Sequence, residues 1–489
     1  MVIMAVALPV WGGGTIDLEK RVTRYQLDNG LTVLIYERHI SPTVSLYLAH
    51  RVGAVDEISG RTGTAHLLEH MMFKGTTTVG TTDYAAEKEI LAAIDEVGER
   101  RDRELLKGSD ANPSVVEELS KGLAELQEKA KTFVVENEID RLYTKHGGAD
   151  MNASTSQDMT IYHVSLPSSA LELWARIESD RMQNPVFREF YSERDVVNEE
   201  RRQVIESQPH RILLEQFLAT AFIAHPYRRP VIGWSYDMEF LNKDYMESFF
   251  RDYYAPNNTV ITVVGDVETH AVRDLIEHYF GSIPRQTLPL PIITGEPPQE
   301  GERRVTVRAD AEPELMIGYH KPTLPSFDDY VFDVIDGILS DGRTSRLYRE
   351  LVTERGIAQS INTANGLPGA RYNNLFTFFV TPRSPHTSQE CEEAVMSVLE
   401  RLKRDGVTEE ELEKVKNRVT AQFLRSMTSN GGLARTLTYF EVVAGDYNYI
   451  ADHMSIIDSI TADDVRETAK RYFTDSNKTV AELVTGDIS

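Results

Sequence analysis

The chain runs through one pattern twice, and this repetition limits its possible folds more than any other feature. The strand-like pair TVLIYERHISPTVSLYLAH (residues 32–50) is echoed by VTVRADAEPELMIGYHKP, which begins at Val305, with Pro42 matching Pro313. Later, NNTVITVVGD ends at Asp266 and NKTVAELVTGD at Asp487, each after an aromatic-rich helical segment, MESFFRDYY or VRETAKRYF. A long-period repeat implies two like units, and the landmarks are about fifty residues further apart in the first copy, which therefore carries an insertion of that size.

The insertion is expected at about residues 84–146. Within residues 84–134, Leu119, Leu123, Leu126, Ala130 and Phe133 recur at helical spacing, and GSDANP separates them from a charged arm, Glu87 to Lys107. That pattern predicts an antiparallel helical hairpin, either a solvated structural arm or a docking arm for a partner. Five prolines between Pro284 and Pro298 make the next stretch too rigid and polar for a core element, so it reads as a linker. The expected division is a first domain over 15–285, a linker over 286–303, and a homologous domain over 304–489. Partial alternation of apolar and polar residues predicts half-buried sheets, and neighbouring strands look hairpin-connected. The fold class expected is therefore α+β: two homologous domains, each a mainly antiparallel sheet packed by helices.

A length of 489 residues exceeds what one compact core supports, and 41% hydrophobic residues suffice to build two. The formal net charge of -24 leaves no basic face to neutralise phosphates, which argues against nucleic acid as a partner. The single cysteine, Cys391, can form neither an internal disulfide nor a thiolate metal site. No stretch reaches the roughly twenty apolar residues that span a bilayer. The apolar start, MVIMAVALPVW, lacks a basic lead and a cleavage pattern; it reads as a signal remnant, a tag junction or a simple arm, so the compartment, periplasmic or cytoplasmic, stays open.

The segment GTAHLLEHMMFKGT places His66 and His70 four residues apart. Its Ala, Leu and Met content favours a helix, which would put both imidazoles on one face with Glu69 beside them. Two neutral imidazoles can fix a metal while a nearby carboxylate takes a proton from the water that the metal polarises. The order H-x-x-E-H is the inverted zinc-peptidase signature. In YSERDVVNEERRQVIES, Val196, Val197, Val204 and Ile205 are expected to mark a buried helix side. Glu193 and Glu200 are seven residues apart, close to one face. Glu200 is the expected third ligand, and Glu193 the carboxylate that orients or charge-balances the site.

With these residues in view, the sequence resembles the pitrilysin and mitochondrial processing peptidase family. The resemblance rests on HLLEHMMFKGT (66–76), GADMNASTSQDMTIY (148–162), ERDVVNEE (193–200) and the paired strands ending in GD, and it covers nearly the whole chain from about Asp17. It implies zinc on His66, His70 and Glu200, one ion per chain, with Glu69 as general base. Of the adjacent Glu199 and Glu200, the second matches. It also implies that Asn152 and Ala153 lie on an edge strand to which an extended peptide substrate adds. Two departures stand out. Glu200 follows His70 by about 130 residues instead of the family's roughly seventy-five, a surplus the size of the insertion. Val352 and Gln359 occupy the places of an arginine and a tyrosine that clamp substrate in complete family members, and SRLYREL (345–351) replaces the zinc motif in the second half.

The resemblance thus implies a zinc-dependent endopeptidase subunit, hydrolysing peptides or unfolded polypeptides in an enclosed cavity, with a homologous partner subunit supplying the clamp. A homodimer is the alternative assembly. A non-catalytic structural or chaperoning subunit, or another metal-dependent hydrolase, are the alternative functions.

Overall fold

The computed structural model describes residues 18–486; the apolar start and Asp487 lie outside the described residues. Among the described residues, eleven strands form two sheets. The first contains β1 (Val22–Gln26), β2 (Thr32–Glu37), β3 (Thr43–His50), β4 (Ala149–Thr155), β5 (Thr160–Pro167) and β6 (Thr259–Gly265), in the order β1-β2-β6-β3-β5-β4. The second contains β7 (Arg303–Ala309), β8 (Glu314–Lys321), β9 (Ala358–Leu367), β10 (Asn374–Pro382) and β11 (Lys478–Thr485), in the order β7-β11-β8-β10-β9. The last five positions of the first sheet recur in the second, so the sequence repeat is a repeat of topology. Both sheets are mixed: β2 pairs parallel with β6 and β7 with β11, and the other neighbours are antiparallel.

The fold is α+β, as expected, but the strands are more buried than half-buried sheets would be. All seven residues of β6 are buried, as are seven of the eight in β3. The cause is a reciprocal exchange of helices. Leu433, Ala434 and Leu437, on the helix Asn430–Tyr439, pack with Leu34, Tyr47, Ala49 and Val264 on one face of the first sheet. In return, Leu213, Phe217 and Ala221, on the helix Pro209–Ala221, pack with Met316, Ala481 and Leu483 of the second sheet. Sheets covered on both faces read as near-continuous apolar runs, with no clean alternation. Buried charges lock the crossing. Glu441, fully buried, accepts from Arg24 at 3.0 Å and Arg51 at 3.1 Å, and Arg371 meets Asp56 at 2.6 Å.

Between β3 and β4 run the short helix Thr64–Met71 and then a long pair, Tyr84–Leu105 and Pro113–Lys131, followed by Glu138–Lys145. The long pair packs side by side. Asp83 and Asn112 cap the two long helices through their side chains, and Pro113 takes the first helical position, where its missing N–H costs nothing. From Pro284 to Gly301 the chain has no regular secondary structure, and Leu290 and Ile293 stand exposed on it. Among the described residues, no helix is long and apolar enough to cross a membrane.

Candidate metal centre

The helix Thr64–Met71 buries Thr64, Ala65, Leu67, Leu68 and Met71 in the first core and turns His66, Glu69 and His70 away from it. Its start is fixed by Glu57, whose buried carboxyl accepts the Gly63 N–H at 2.9 Å and the Ala65 N–H at 2.8 Å. These are donors that the first turn of a helix cannot satisfy by itself. Gly63 sits at φ +87, and a Cβ there would come within 2.2 Å of Met238 Sδ, so the entry turn requires glycine.

The second carrier is the helix Phe190–Arg201, which widens into a π-helical turn at Arg202–Glu206 just beyond Glu200. Its buried side differs from the expected one. Val197 is buried, but Val196 is 52% and Val204 40% exposed, and the inner positions belong to Phe190, Tyr191, Arg194 and Arg201. Two arginines occupy core slots because each finds partners there: Arg194 binds Asp102 at 2.6 Å, and Arg201 binds the Gly233 carbonyl at 2.7 Å and Glu215 at 2.9 Å. Asp102 lies on the first long helix of the insertion, so the insertion braces the helix that bears Glu193 and Glu200.

The two helices bring three donors together. Glu200 lies 4.0 Å from His66 Nε2 and 3.6 Å from His70 Nε2, and one ligand atom from each of the three residues falls within 4.8 Å of the others. A tetrahedral zinc with bonds of about 2.0–2.2 Å needs its donors about 3.4 Å apart, so small side-chain rotations close the set. Among the described residues no other trio of His, Cys, Asp or Glu converges this way. Two imidazoles and one carboxylate leave a fourth position open, the donor set of a hydrolytic zinc site.

Burial, and secondarily His70, holds the His66 imidazole down at about 4, so it is neutral and free to donate its lone pair at neutral pH. At His70 burial acts downward, but the hydrogen bond and charge of Glu193, with Glu200 and Glu69, raise the imidazole. Glu193 Oε1 is 2.9 Å from His70 Nδ1, and its other oxygen is 2.6 Å from Lys74 Nζ. Burial opposes ionisation of Glu193, but hydrogen bonds from His70 and Lys74 hold it down at about 2. In the neutral ring, an ionised acceptor at Nδ1 fixes the tautomer whose bare Nε2 faces Glu200.

Glu69 points to the same place. Burial raises its carboxyl, and the Thr155 hydroxyl, which donates to it at 2.5 Å, acts in the opposite direction. Thr155 ends β4, the edge strand of the first sheet, on which Asn152 and Ala153 pair with His163 and Tyr162 of β5. A cleft of about 440 Å³ adjoins Glu69 and His70, walled by Phe73, Lys74, Val135 and Asn137. Sequence reasoning did not single out Thr155, Lys74 or Glu57: the first two meet partners distant in the chain, and Glu57 reaches its backbone partners, Gly63 and Ala65, across a turn that residue types do not reveal. In the second half, SRLYREL (345–351) runs into a π-helical turn, Tyr348–Glu354, whereas by its place against the edge strand β9 the helix that corresponds to the His66 helix is Phe327–Leu339. Val352 packs against the second core, and among the described residues the Gln359 amide reaches Glu312 and the Pro382 carbonyl, each at 3.5 Å.

Two like α+β units, one of which bears H-x-x-E-H on a short helix facing a distant glutamate, define a chain of the inverted zinc-peptidase class. Residues 32–103 and 121–234 match the family described as Insulinase (Peptidase family M16), and residues 241–419 match the Peptidase M16 inactive domain. The chain belongs to peptidase family M16, the pitrilysin family. It is 25% identical over 465 residues to the zinc protease PqqE of Helicobacter pylori, covering 94% of this chain and 91% of that protein. It is 21% identical to the uncharacterized zinc protease YmxG of Bacillus subtilis, covering 93% and 96%. The fold is that of a protease from Helicobacter pylori (TM-score 0.79, 24% identity, 95% of this chain and 99% of that one). It also resembles the periplasmic protease PqqL of Escherichia coli (TM-score 0.70, 18% identity), covering 95% of this chain but 48% of PqqL.

Proposed function

We propose that this chain is the zinc-binding subunit of an endopeptidase that hydrolyses peptides or unfolded polypeptides, with zinc on His66, His70 and Glu200. The convergence of those three donors, with Glu69 alongside, is the observation that carries the reading. A zinc ion held there supplies Lewis acidity, activating water and polarising the scissile carbonyl. Glu69 accepts the proton of the attacking water and passes it to the departing amine nitrogen, so no acyl-enzyme forms. Its burial suits this work, because a carboxylate raised above its ordinary value is a stronger base and holds the proton it takes from water until the amine departs. Thr155 ties the base to the edge strand, where Asn152 and Ala153 would pair with the substrate backbone by β-addition.

The chain acts as one half of a larger cavity, and a homologous partner subunit carries the arginine and tyrosine that Val352 and Gln359 replace. Supporting this, the chain spans 48% of PqqL and 92% of the first half of that protease. The division into units at 15–285 and 304–489 belongs to this reading, and a homodimer is its alternative assembly. Glu69→Gln should retain zinc and lower turnover of an unfolded protein by about 10²–10⁴-fold. Full activity in that variant overturns the mechanism. A non-catalytic structural or chaperoning subunit is the second reading, favoured by the neutral side chains at Val352 and Gln359. It requires that the native complex, purified with its partner, hydrolyse no peptide.

A further inference from the structure

The second half contains a cavity of about 670 Å³ between the helix Phe327–Leu339 and β9, entirely separate from the metal centre. Its setting repeats that of the metal centre. The His66 helix packs against β4 at the edge of the first sheet, and the 327–339 helix packs against β9 at the corresponding edge of the second. Where the first half offers imidazoles, the second offers carboxylates.

Asp329, Asp333 and Asp336 stand one helical turn apart along the cavity wall, and Asp341 lies just beyond the helix. Two of the four have cationic partners: Lys321 binds Asp329, and Arg418 binds Asp341 at 3.1 Å. Asp333 and Asp336 form no ion pair among the described residues, and only the charge of Lys321, already bound to Asp329, acts on Asp333. Asp333 accepts from the Asn365 amide at 2.8 Å, and Asp336 from the Thr363 hydroxyl at 2.5 Å, both neutral donors. Carboxylates drawn out of water without a counter-ion are costly, so a cation entering this space gains what the fold leaves uncompensated.

A second observation is independent of the acids. Asn374, the first residue of β10, is fully buried and lines the same cavity, yet neither its amide oxygen nor its amide nitrogen has a hydrogen-bond partner. The amide oxygen of Asn365 is likewise unpartnered. Buried polar groups are nearly always paired, so these amides mark where a ligand's polar atoms belong. Among the described residues no three of these aspartates converge as the ligands of one metal ion would. Spread acceptors suit a planar, many-donor cation, and Phe423 and Phe440 in the wall offer aromatic surface for its stem.

We infer that this second-half cavity binds an organic cation, a guanidinium or alkylammonium group, held by Asp333 and Asp336 with Asn365 and Asn374 as neutral acceptors. The group can come from a basic side chain of a peptide or from a free amine. Only the peptide source rests on the peptidase reading, because binding requires no turnover.

Isothermal titration of the full chain at neutral pH distinguishes these cases, using agmatine, a blocked tripeptide with a central arginine, and the same tripeptide with neutral citrulline. Citrulline should bind at least about tenfold more weakly than arginine, and Asp333→Asn with Asp336→Asn should lose the difference. Saturable binding of the arginine peptide alone assigns a peptide side chain, and equal or tighter binding of agmatine assigns a free amine. Equal binding of arginine and citrulline, no saturable binding of either cation, or unchanged binding in the folded double variant overturns the inference. Asp336→Asn alone serves if the double variant does not fold, and the arginine–citrulline contrast needs no variant.

Discussion

Glu193 and His70 form the contact on which the metal centre's geometry turns: a carboxylate oxygen 2.9 Å from Nδ1 aims the opposite ring nitrogen at Glu200. Glu193→Gln keeps the shape but weakens the acceptor and removes the charge that Lys74 also uses. Carboxylates that orient a ligand histidine typically contribute 10–100-fold to metal affinity, and a loss of about that size is expected here. Competition with a chromogenic chelator measures it, and unchanged zinc affinity in a folded variant counts against the assigned role.

The exchange of helices between the sheets makes a prediction about cooperativity. Leu437 is fully buried on the first sheet although it belongs to the second half. Leu437→Ala removes that contact and should cost about 2–5 kcal/mol. Because each half closes the other's core, calorimetry should show one transition that moves to lower temperature as a whole. Two resolved transitions, only one of them shifted, would contradict the interlocked packing.

Burial pushes the Asp336 carboxyl up to about 7, with the Thr363 hydroxyl acting against the shift. The unfolded chain releases this proton near the ordinary carboxylate value, about 3.9, while the folded chain holds it until about 7. The folded state therefore binds more protons in that window, and stability falls as pH rises through it. Asp336→Asn removes the fall, so its stability relative to the parent should climb between about pH 4 and 7 and level above. Water reaching the cavity limits the gain to about 1–3 kcal/mol. Urea midpoints across that range test it, and a pH-independent difference excludes the cause given.

Sequence spacing located the helix carrying His66, Glu69 and His70, because a four-residue interval on a helix has one geometric meaning. The repeat was equally legible, since strands in like order leave like landmarks. The helix exchange was not: an apolar strand face shows that something covers it, never which segment does. The Phe190–Arg201 helix misled for a related reason. Val196 and Val204 look like core residues by type, but Arg194 and Arg201 fill the inner positions once Asp102, Glu215 and a carbonyl neutralise them. Hydrophobicity scales do not register such distant partners. Thr155 was hidden likewise, because its bond to Glu69 joins residues 86 apart.

The most direct test of the metal centre is the zinc content of the full chain purified without chelator, beside that of Glu200→Gln. About one zinc per parent chain and a marked loss in the variant are expected, since two imidazoles alone hold the ion poorly. Less than about half an equivalent in the parent, or equal zinc in both proteins, would contradict the assignment of His66, His70 and Glu200 as the site.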